Sequence, residues 1–396
     1  MISQQSRSIK SGAVPDLLKD GDVFLTKRNF LTALLATVLG AMLLFKSADL
    51  GEGIRKGLSV CSYSVIPALF PFMALSVFIC KSAAADFFGI ILRPATRLLR
   101  IPEHCGGILL SAVIGGYPAA AKSINDLVLE GALDRKTAGR MLCYCVNAGP
   151  PFLISAVGIG VFGSIGTGFL LFAAQFFSAV IIGVFVSVFS GEEKDFGIAK
   201  PFFRKSSAEC AVESVISAAE SCFRMCAFIV ISFGVLEIAF AGAAFSAFAE
   251  KPWLKALFSG FFEVTSGCFA CGETGGFSAI VMAGAIASFS GISVILQIAA
   301  VTSESGIPLF PFIVSRFFHA VLTAGTLRIF LAFFGGAVET FAVKGGNYEA
   351  ILSASAPAAV SLLCMTALFL LSVVPPKSEK EPLMLRIKRR FLQKDF

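Results

Sequence analysis

The sequence has 396 residues, of which 56% are hydrophobic and only 15% are charged, and its mean hydropathy is +0.83. This composition leaves too little polar surface for a water-soluble globule of this size, and apolar stretches near the roughly 20 residues needed to cross a bilayer recur along the chain. The formal net charge of +7 does not indicate a nucleic-acid partner, because the basic residues cluster beside apolar segments. We therefore predict an all-α, polytopic transmembrane helical bundle in the lipid bilayer.

The N-terminal leader, 1–29, carries both acids and bases and precedes the first apolar segment. No small-residue cleavage site follows that segment, so we expect an anchor and not a removable signal peptide. Basic residues also mark the loop around Arg97 and the C-terminal tail. The positive-inside rule places both termini and this loop in the cytoplasm, which requires an even number of crossings.

A polar stretch divides the hydrophobic sequence into two halves that show the same order of features. The predicted segments are a cytoplasmic polar leader (1–29), a first transmembrane helix and loop (30–57), a first repeat (58–190), a polar linker (191–213), a second repeat (214–335), a loop and last transmembrane helix (336–374), and a basic cytoplasmic tail (375–396).

Each half contains two sites where a helix should break. The first half reads Gly-Gly-Tyr-Pro at 115–118 and Asn-Ala-Gly-Pro-Pro at 147–151, and the second reads Glu-Val-Thr-Ser-Gly at 263–267 and Ser-Gly-Ile-Ser at 290–293. Backbone groups freed inside a membrane must be buried in protein or line a polar cavity, and interruptions at corresponding places in two halves are typical of a transporter's central site. We predict interrupted or re-entrant helices at these positions.

Between the two breaks of the first half, 123–145 carries charged and apolar residues at helical spacing. This pattern predicts an amphipathic helical hairpin that turns at Gly131. We expect the hairpin to lie at a membrane face and to return the chain from one break to the other.

Polar residues at the breaks are the candidates for binding a substrate. Glu263 is the sharpest, since a charge at the centre of a membrane helix costs about 2.5–3.5 kcal/mol; the alternative is a structural carboxyl that is protonated or paired with Arg. Gln297 could instead form a structural bond between helices. The full predicted set is Gly116, Tyr117, Pro118, Asn147, Gly149, Pro150, Glu263, Thr265, Gly291, Ser293 and Gln297.

Four further ionisable residues lie within or beside apolar segments and form a candidate intramembrane charge network. They are Glu237, Glu304, Arg316 and His319. Arg316 and His319 share a helix face at a spacing of three residues. The alternative is a simple ion pair or side chains that reach out to the membrane surface.

The sequence offers no sign of a cofactor, a metal site or an enzyme. Its 11 cysteines are accompanied by only two histidines, and neither the Cys143/Cys145 nor the Cys268/Cys271 pair has a nearby histidine to complete a zinc site. No nucleophile–base motif and no phosphate-binding glycine loop is present. Any active transport should therefore be secondary or energised by a partner.

Five spaced motifs between about residues 54 and 328 resemble a known family, the sporulation integral membrane proteins of the YlbJ type. They are Ile-Pro-x-x-x-Pro-Phe at 66–72, Ser-x-x-x-Gly-Gly-Tyr-Pro-x-x-Ala-Lys at 111–122, Asn-Ala-Gly-Pro-Pro-Phe at 147–152, Glu-x-Thr-x-Gly at 263–267 and Ser-Phe-Ser-Gly-x-Ser-x-x-x-Gln at 288–297. Such proteins carry two nucleoside-recognition Gate domains, which are related to segments of concentrative nucleoside transporters and of ferrous-iron transport protein B. The resemblance implies two Gate-like repeats.

The resemblance also implies a bacterial cytoplasmic or forespore membrane, spore maturation and movement of dipicolinate, a small aromatic dicarboxylate. We expect a secondary transporter or facilitator of such an anion, whose carboxylate would meet half-helix amides at 116–118 and 147–150, while Glu263, Ser293 and Gln297 complete the cavity. The alternatives are a nucleoside transporter and a non-transporting scaffold for spore maturation. A homo-oligomer or a membrane partner is compatible with each.

Overall fold

A computed structural model describes residues 27–189, 207–242 and 245–334, and within these ranges the chain is helical with no strand. The α-helices are α1 (Lys27–Phe45), α2 (Ser47–Val60), α3 (Ile66–Lys81), α4 (Ala84–Ile91), α5 (Arg93–Leu98), α6 (Gly106–Leu129), α7 (Arg135–Cys145), α8 (Ile165–Val188), α9 (Ser207–Ala241), α10 (Ser246–Ala249), α11 (Pro252–Phe262), α12 (Val264–Ala270), α13 (Gly276–Phe289), α14 (Gly291–Val301) and α15 (Phe310–Phe334). Two π-helical segments, Cys61–Val65 and Pro151–Ile159, and two 3₁₀ turns, Glu103–Cys105 and Cys271–Glu273, complete them.

Six helical stretches of the described residues are long and apolar enough to cross a membrane. They are Ser47–Lys81, Glu103–Leu129, Ile165–Val188, Ser207–Ala241, Gly276–Val301 and Phe310–Phe334. The predicted class, an all-helical polytopic membrane protein, is confirmed at this level, whereas the Gate-like repeats stay a prediction. The predicted leader up to residue 26, the linker from residue 191 to residue 206, and the predicted last transmembrane helix and basic tail lie outside the described residues.

The chain forms two units, the first ending at Ala48 and the second beginning at Asp49. The second unit holds the core and both predicted repeats. One boundary prediction is wrong: the loop expected before residue 58 is helical, because α2 runs to Val60. Its glycines face α9 so closely that a Cβ on Gly53 would lie 2.5 Å from the carbonyl oxygen of Phe233, and small residues are what membrane helices use for such contacts.

Both halves contain the predicted helix interruptions. The non-helical positions are Gly116 within α6, the stretch 146–149 after α7, Glu263 between α11 and α12, and Ser290 between α13 and α14. Gly116 has φ +73° and ψ −163°, a backbone conformation that residues with a Cβ rarely adopt. Ser290 has φ +77°, which is uncommon for a residue other than glycine.

Apart from α4 and α5 in the first half and α10 in the second, the elements around the breaks follow a similar order in the two halves. In each half a long helix (α3 or α9) comes first, and two shorter helical segments lie on either side of the first break. After a turn, a returning helix (α7 or α13) runs to the second break. A further short helix and a final long helix (α8 or α15) follow. The long helices pack in matching pairs, α3 against α9 and α8 against α15. Elements of both halves therefore surround the breaks.

The predicted hairpin turns at Gly131, where φ is +73°. Its second arm, α7, is largely buried among other helices, and the predicted location at a membrane face stays a prediction. Ala138, Met141 and Leu142 are fully buried, and α7 packs against α6, α8 and α15. The charged residues of this arm occupy its first turns only, while the apolar stretch that follows passes inside the bundle.

Candidate functional site

A small enclosed cavity lies where the helix breaks of the two halves meet. Its volume is ≈ 30 Å³, which is room for about two water molecules. Its wall includes Met73 from α3 and Met225 from α9. Seven of the residues predicted to bind substrate line it: Gly116, Tyr117, Pro118, Gly149, Glu263, Thr265 and Gln297.

Within each half, the two breaks pack against one another through their backbones. A Cβ on Gly116 would lie 3.1 Å from the amide nitrogen of Gly149, and a Cβ on Gly149 would lie 3.3 Å from the nitrogen of Gly116. In the second half, a Cβ on Gly291 would lie 3.1 Å from the carbonyl oxygen of Gly260 and 3.2 Å from the nitrogen of Val264. Glycine is needed at these points because two backbone segments approach each other with no space for a side chain.

Glu263 lines the cavity and also caps α12. Its carboxylate oxygens accept hydrogen bonds from the backbone amides of Thr265 at 2.8 Å and Ser266 at 2.6 Å. The residue is only 1% exposed, and no basic side chain forms an ion pair with it in the described part of the chain. A negative group at a helix N-terminus is stabilised by the free amides there. Glu263 therefore has a structural role at the same place as its predicted binding role.

The other four predicted binding residues lie behind the cavity wall. Asn147 donates from Nδ2 to the carbonyl of Tyr144 at 2.6 Å, so its amide closes the end of α7. Pro150 immediately precedes the π-helical segment Pro151–Ile159. Gly291 begins α14, and the hydroxyl of Ser293 is buried without a hydrogen-bond partner among the described residues.

Arg316 of α15 holds the first-half break from the second half of the chain. Its fully buried guanidinium donates to the carbonyl of Val146 at 2.7 Å, to the carbonyl of Cys143, and to Oδ1 of Asn147 at 3.4 Å. The last carbonyls of a helix lack intrahelical partners and carry partial negative charge, so a cation there is favourable. Arg316 thus caps α7 where the chain leaves the helix.

Of the four ionisable residues predicted as a charge network, Arg316 and His319 are buried near each other on α15, whereas the two glutamates lie elsewhere. Glu237 pairs with Lys56 of α2 at 3.0 Å, and Glu304 is exposed. The Nε2 atom of His319 lies 3.1 Å from the backbone oxygen of Gln175. Among the described residues, Arg316 forms no ion pair with Glu237 or Glu304, because its donors bind backbone carbonyls and Oδ1 of Asn147.

Two side chains that contact the breaks were not identified in these roles from the sequence. With its amide oriented to suit its neighbours, Gln175 donates to the carbonyl of Ala148 and accepts from its amide, both at 3.2 Å. The hydroxyl of Tyr117 donates to the carbonyl of Ala287 beside the second-half break. Gln175 could have been singled out from the sequence, because it is a lone amide side chain in the apolar helix α8.

The cysteines of the described ranges are free thiols, most of them buried in helix contacts. Within those ranges no three His, Cys, Asp or Glu side chains come close enough together to hold a metal ion. The polar side chains that line the cavity are the hydroxyls of Tyr117 and Thr265, the amide of Gln297 and the carboxylate of Glu263.

Over 144 residues this sequence is 29% identical to the sporulation integral membrane protein YlbJ of Bacillus subtilis (strain 168), a match that covers 36% of this chain and 35% of YlbJ. The chain is a homologue of YlbJ. The alignment spans about a third of the length of YlbJ, whose name describes an integral membrane protein of sporulation. No family model matches the chain, and no solved structure matches it. The similarity to YlbJ and the six apolar stretches together support an integral membrane protein that is related to YlbJ.

Proposed function

We propose that the chain is a secondary transporter or facilitator that moves a small, dipicolinate-like organic anion across a bacterial cytoplasmic or forespore membrane during sporulation. The observation that supports this most is the meeting of helix breaks from both halves around one internal cavity. Interrupted helices within a bilayer are typical of substrate sites in transporters. The anion itself is suggested by the family resemblance.

The first-half break is the proposed place for a substrate carboxylate. In α12 the amides that follow the break already bind the carboxylate of Glu263. In α6 the residue at the equivalent break is Gly116, which brings no side chain, and it lines the cavity with Tyr117. Free amides at the start of a half-helix favour a negative group. Gln297 would complete the site from α14.

The cavity described here corresponds to a closed state. An aromatic dicarboxylate does not fit a space that holds about two water molecules. Binding therefore requires the breaks of the two halves to move apart, which the irregular backbone at Gly116 and Ser290 would permit.

Uptake of labelled dipicolinate by proteoliposomes tests this proposal. We expect the wild-type protein to accumulate the label and Gln297→Leu to reduce uptake at least tenfold, because it removes a polar group from the cavity wall. Glu304→Gln is the matched control, since Glu304 is exposed shortly after the same helix, and it should transport normally. Equal uptake by Gln297→Leu and wild type would refute the site.

Labelled uridine, tested in the same vesicles, separates the proposal from a nucleoside transporter. Dipicolinate, and not uridine, should also raise the unfolding temperature of the purified protein. If neither compound crosses the membrane and the protein co-purifies with a membrane partner, the scaffold alternative would replace transport.

A further inference from the structure

Glu263 brings a carboxylate into a cavity that we have assigned to an anion. The other polar side chains that line this cavity, Tyr117, Thr265 and Gln297, are neutral amides or hydroxyls. Both oxygens of Glu263 face the cavity end of α12 and accept from two backbone amides. A substrate anion would thus meet a second negative charge with no cation among the residues that line the cavity, and in a low-dielectric space such repulsion is strong. The buried cation beside the first-half break, Arg316, already donates to the carbonyls of Cys143 and Val146 and to Asn147.

The elements packed against α12 do not supply a cation. They are α9, α11, α13 and α14 and the turn Cys271–Glu273, and neither α13 nor α14 contains an ionisable residue. Lys255 of α11 pairs with Glu273 of the turn at 2.9 Å. The thiols of Cys61, in the π-helical segment before α3, and of Cys268 are the groups that interact electrostatically with Glu263, and both are ordinarily uncharged.

Charged residues of α9 are engaged elsewhere or exposed. Glu213 pairs with Lys81 at 3.3 Å, Glu220 with Lys122 at 3.7 Å and Glu237 with Lys56 at 3.0 Å. Arg224 is exposed, and so is Glu209 in the first turn of α9. The thiols of Cys222 and Cys226 lie near Cys61. The charge of Glu263 is therefore balanced by the amides of α12 alone.

We propose that Glu263 is a proton-binding site that couples entry of the anion to uptake of one proton, an inference that rests on the proposed function. In the empty cavity the ionised carboxylate caps α12. When the anion enters, a proton from water adds to one carboxylate oxygen and removes the repulsion, and it leaves to water on the other side after the anion departs. Proton and anion then strengthen each other's binding reciprocally.

Proteoliposomes with a pH-sensitive dye inside provide the first test. Between pH 6 and pH 8 an ordinary dicarboxylate stays fully ionised, so any pH dependence of uptake comes from the protein. We expect labelled dipicolinate to enter faster as the external pH falls, by up to about tenfold per pH unit for one proton, with acidification inside. Glu263→Gln should lose both the pH dependence and the acidification, whatever rate of uptake it retains.

Glu273→Gln is the matched control, because it removes a carboxylate that pairs with Lys255 outside the cavity, and it should keep the wild-type pH profile. A direct measurement does not depend on any variant. Purified wild-type protein in weakly buffered detergent solution should take up about one proton for each dipicolinate bound.

Dipicolinate that binds or enters without proton uptake and at a rate independent of pH would overturn the role of Glu263 while leaving the transport proposal intact. Absence of dipicolinate binding and flux under every gradient would instead overturn the transport proposal.

Discussion

At the scale of single residues, the backbone conformation of Gly116 beside the cavity strongly favours glycine. Its φ of +73° with ψ of −163° is open to glycine alone, and an added Cβ would lie 3.1 Å from the nitrogen of Gly149. We expect Gly116→Ala to lower the free energy of unfolding by about 1–3 kcal/mol and to reduce uptake, because the two breaks would be forced apart.

Thermal unfolding in detergent measures this loss. Gly325→Ala is the control, since a Cβ on Gly325 would meet nothing within 4 Å and alanine favours a helix over glycine. Equal stability of Gly116→Ala and Gly325→Ala would show that the kink does not require glycine.

Residue types at the breaks could be predicted from the sequence, but their partners could not. Gly, Pro and Ser at 115–118 and 290–293 indicate where a helix cannot continue. Nothing local indicates that Arg316 binds carbonyls 170 positions away or that Tyr117 reaches Ala287. Such pairs depend on how the helices pack, so the local sequence could not identify the carbonyl partners of Arg316.

At the scale of elements, the start of α7 depends on a single side chain. Asp134 accepts from the amides of Lys136 and Thr137, each at 2.9 Å. Partial burial opposes ionisation, but the hydrogen bonds from Thr137 and Lys136 outweigh it and hold the pKa of Asp134 below its ordinary value of 3.8. The cap therefore stabilises α7 at every pH well above 3.8.

We expect Asp134→Ala to lower the free energy of unfolding by about 1 kcal/mol and Asp134→Asn to lower it less, since asparagine also caps helices. Because the folded pKa is depressed, the stabilisation is complete above the ordinary pKa and is lost only as the pH falls through the lower folded value. The difference in unfolding temperature between wild type and Asp134→Ala should thus be constant from pH 6 to pH 8. A difference that shrinks over that interval would contradict this account.

For α7, the sequence pattern predicts the helix but not the helices that bury it. Charges at 134–140 correctly indicated a helix that follows a turn at Gly131, yet the apolar stretch after them carries no sign of which neighbours cover it. Burial of α7 follows from contacts with α8 and α15, and the latter lies far along the chain. Glu263 caps α12, but glutamate is not among the residues that usually occupy this position, so the sequence did not indicate the cap.

At the scale of the whole molecule, the small cavity predicts that ligand binding opens the structure. Adding dipicolinate should change amide hydrogen exchange at 146–150 and 287–291, where backbone groups are held by side chains from distant helices. The middle parts of α3 and α9 should be unchanged.

Uridine at the same concentration is the control for non-specific effects on exchange. Identical exchange with and without dipicolinate, at concentrations where binding is measured, would mean that the anion binds elsewhere.

The bond between Arg316 and Val146 also has a consequence during synthesis. The carbonyl of Val146 enters the membrane 170 residues before its partner exists, and at about 5–20 residues per second the ribosome needs roughly 10–30 s to reach Arg316. Throughout that interval the carbonyls of Cys143 and Val146 lack these donors in a solvent that cannot replace them, and Asn147 binds only the carbonyl of Tyr144. The first half of the chain must therefore be sheltered, by the insertion machinery or by water, until its last described helix arrives.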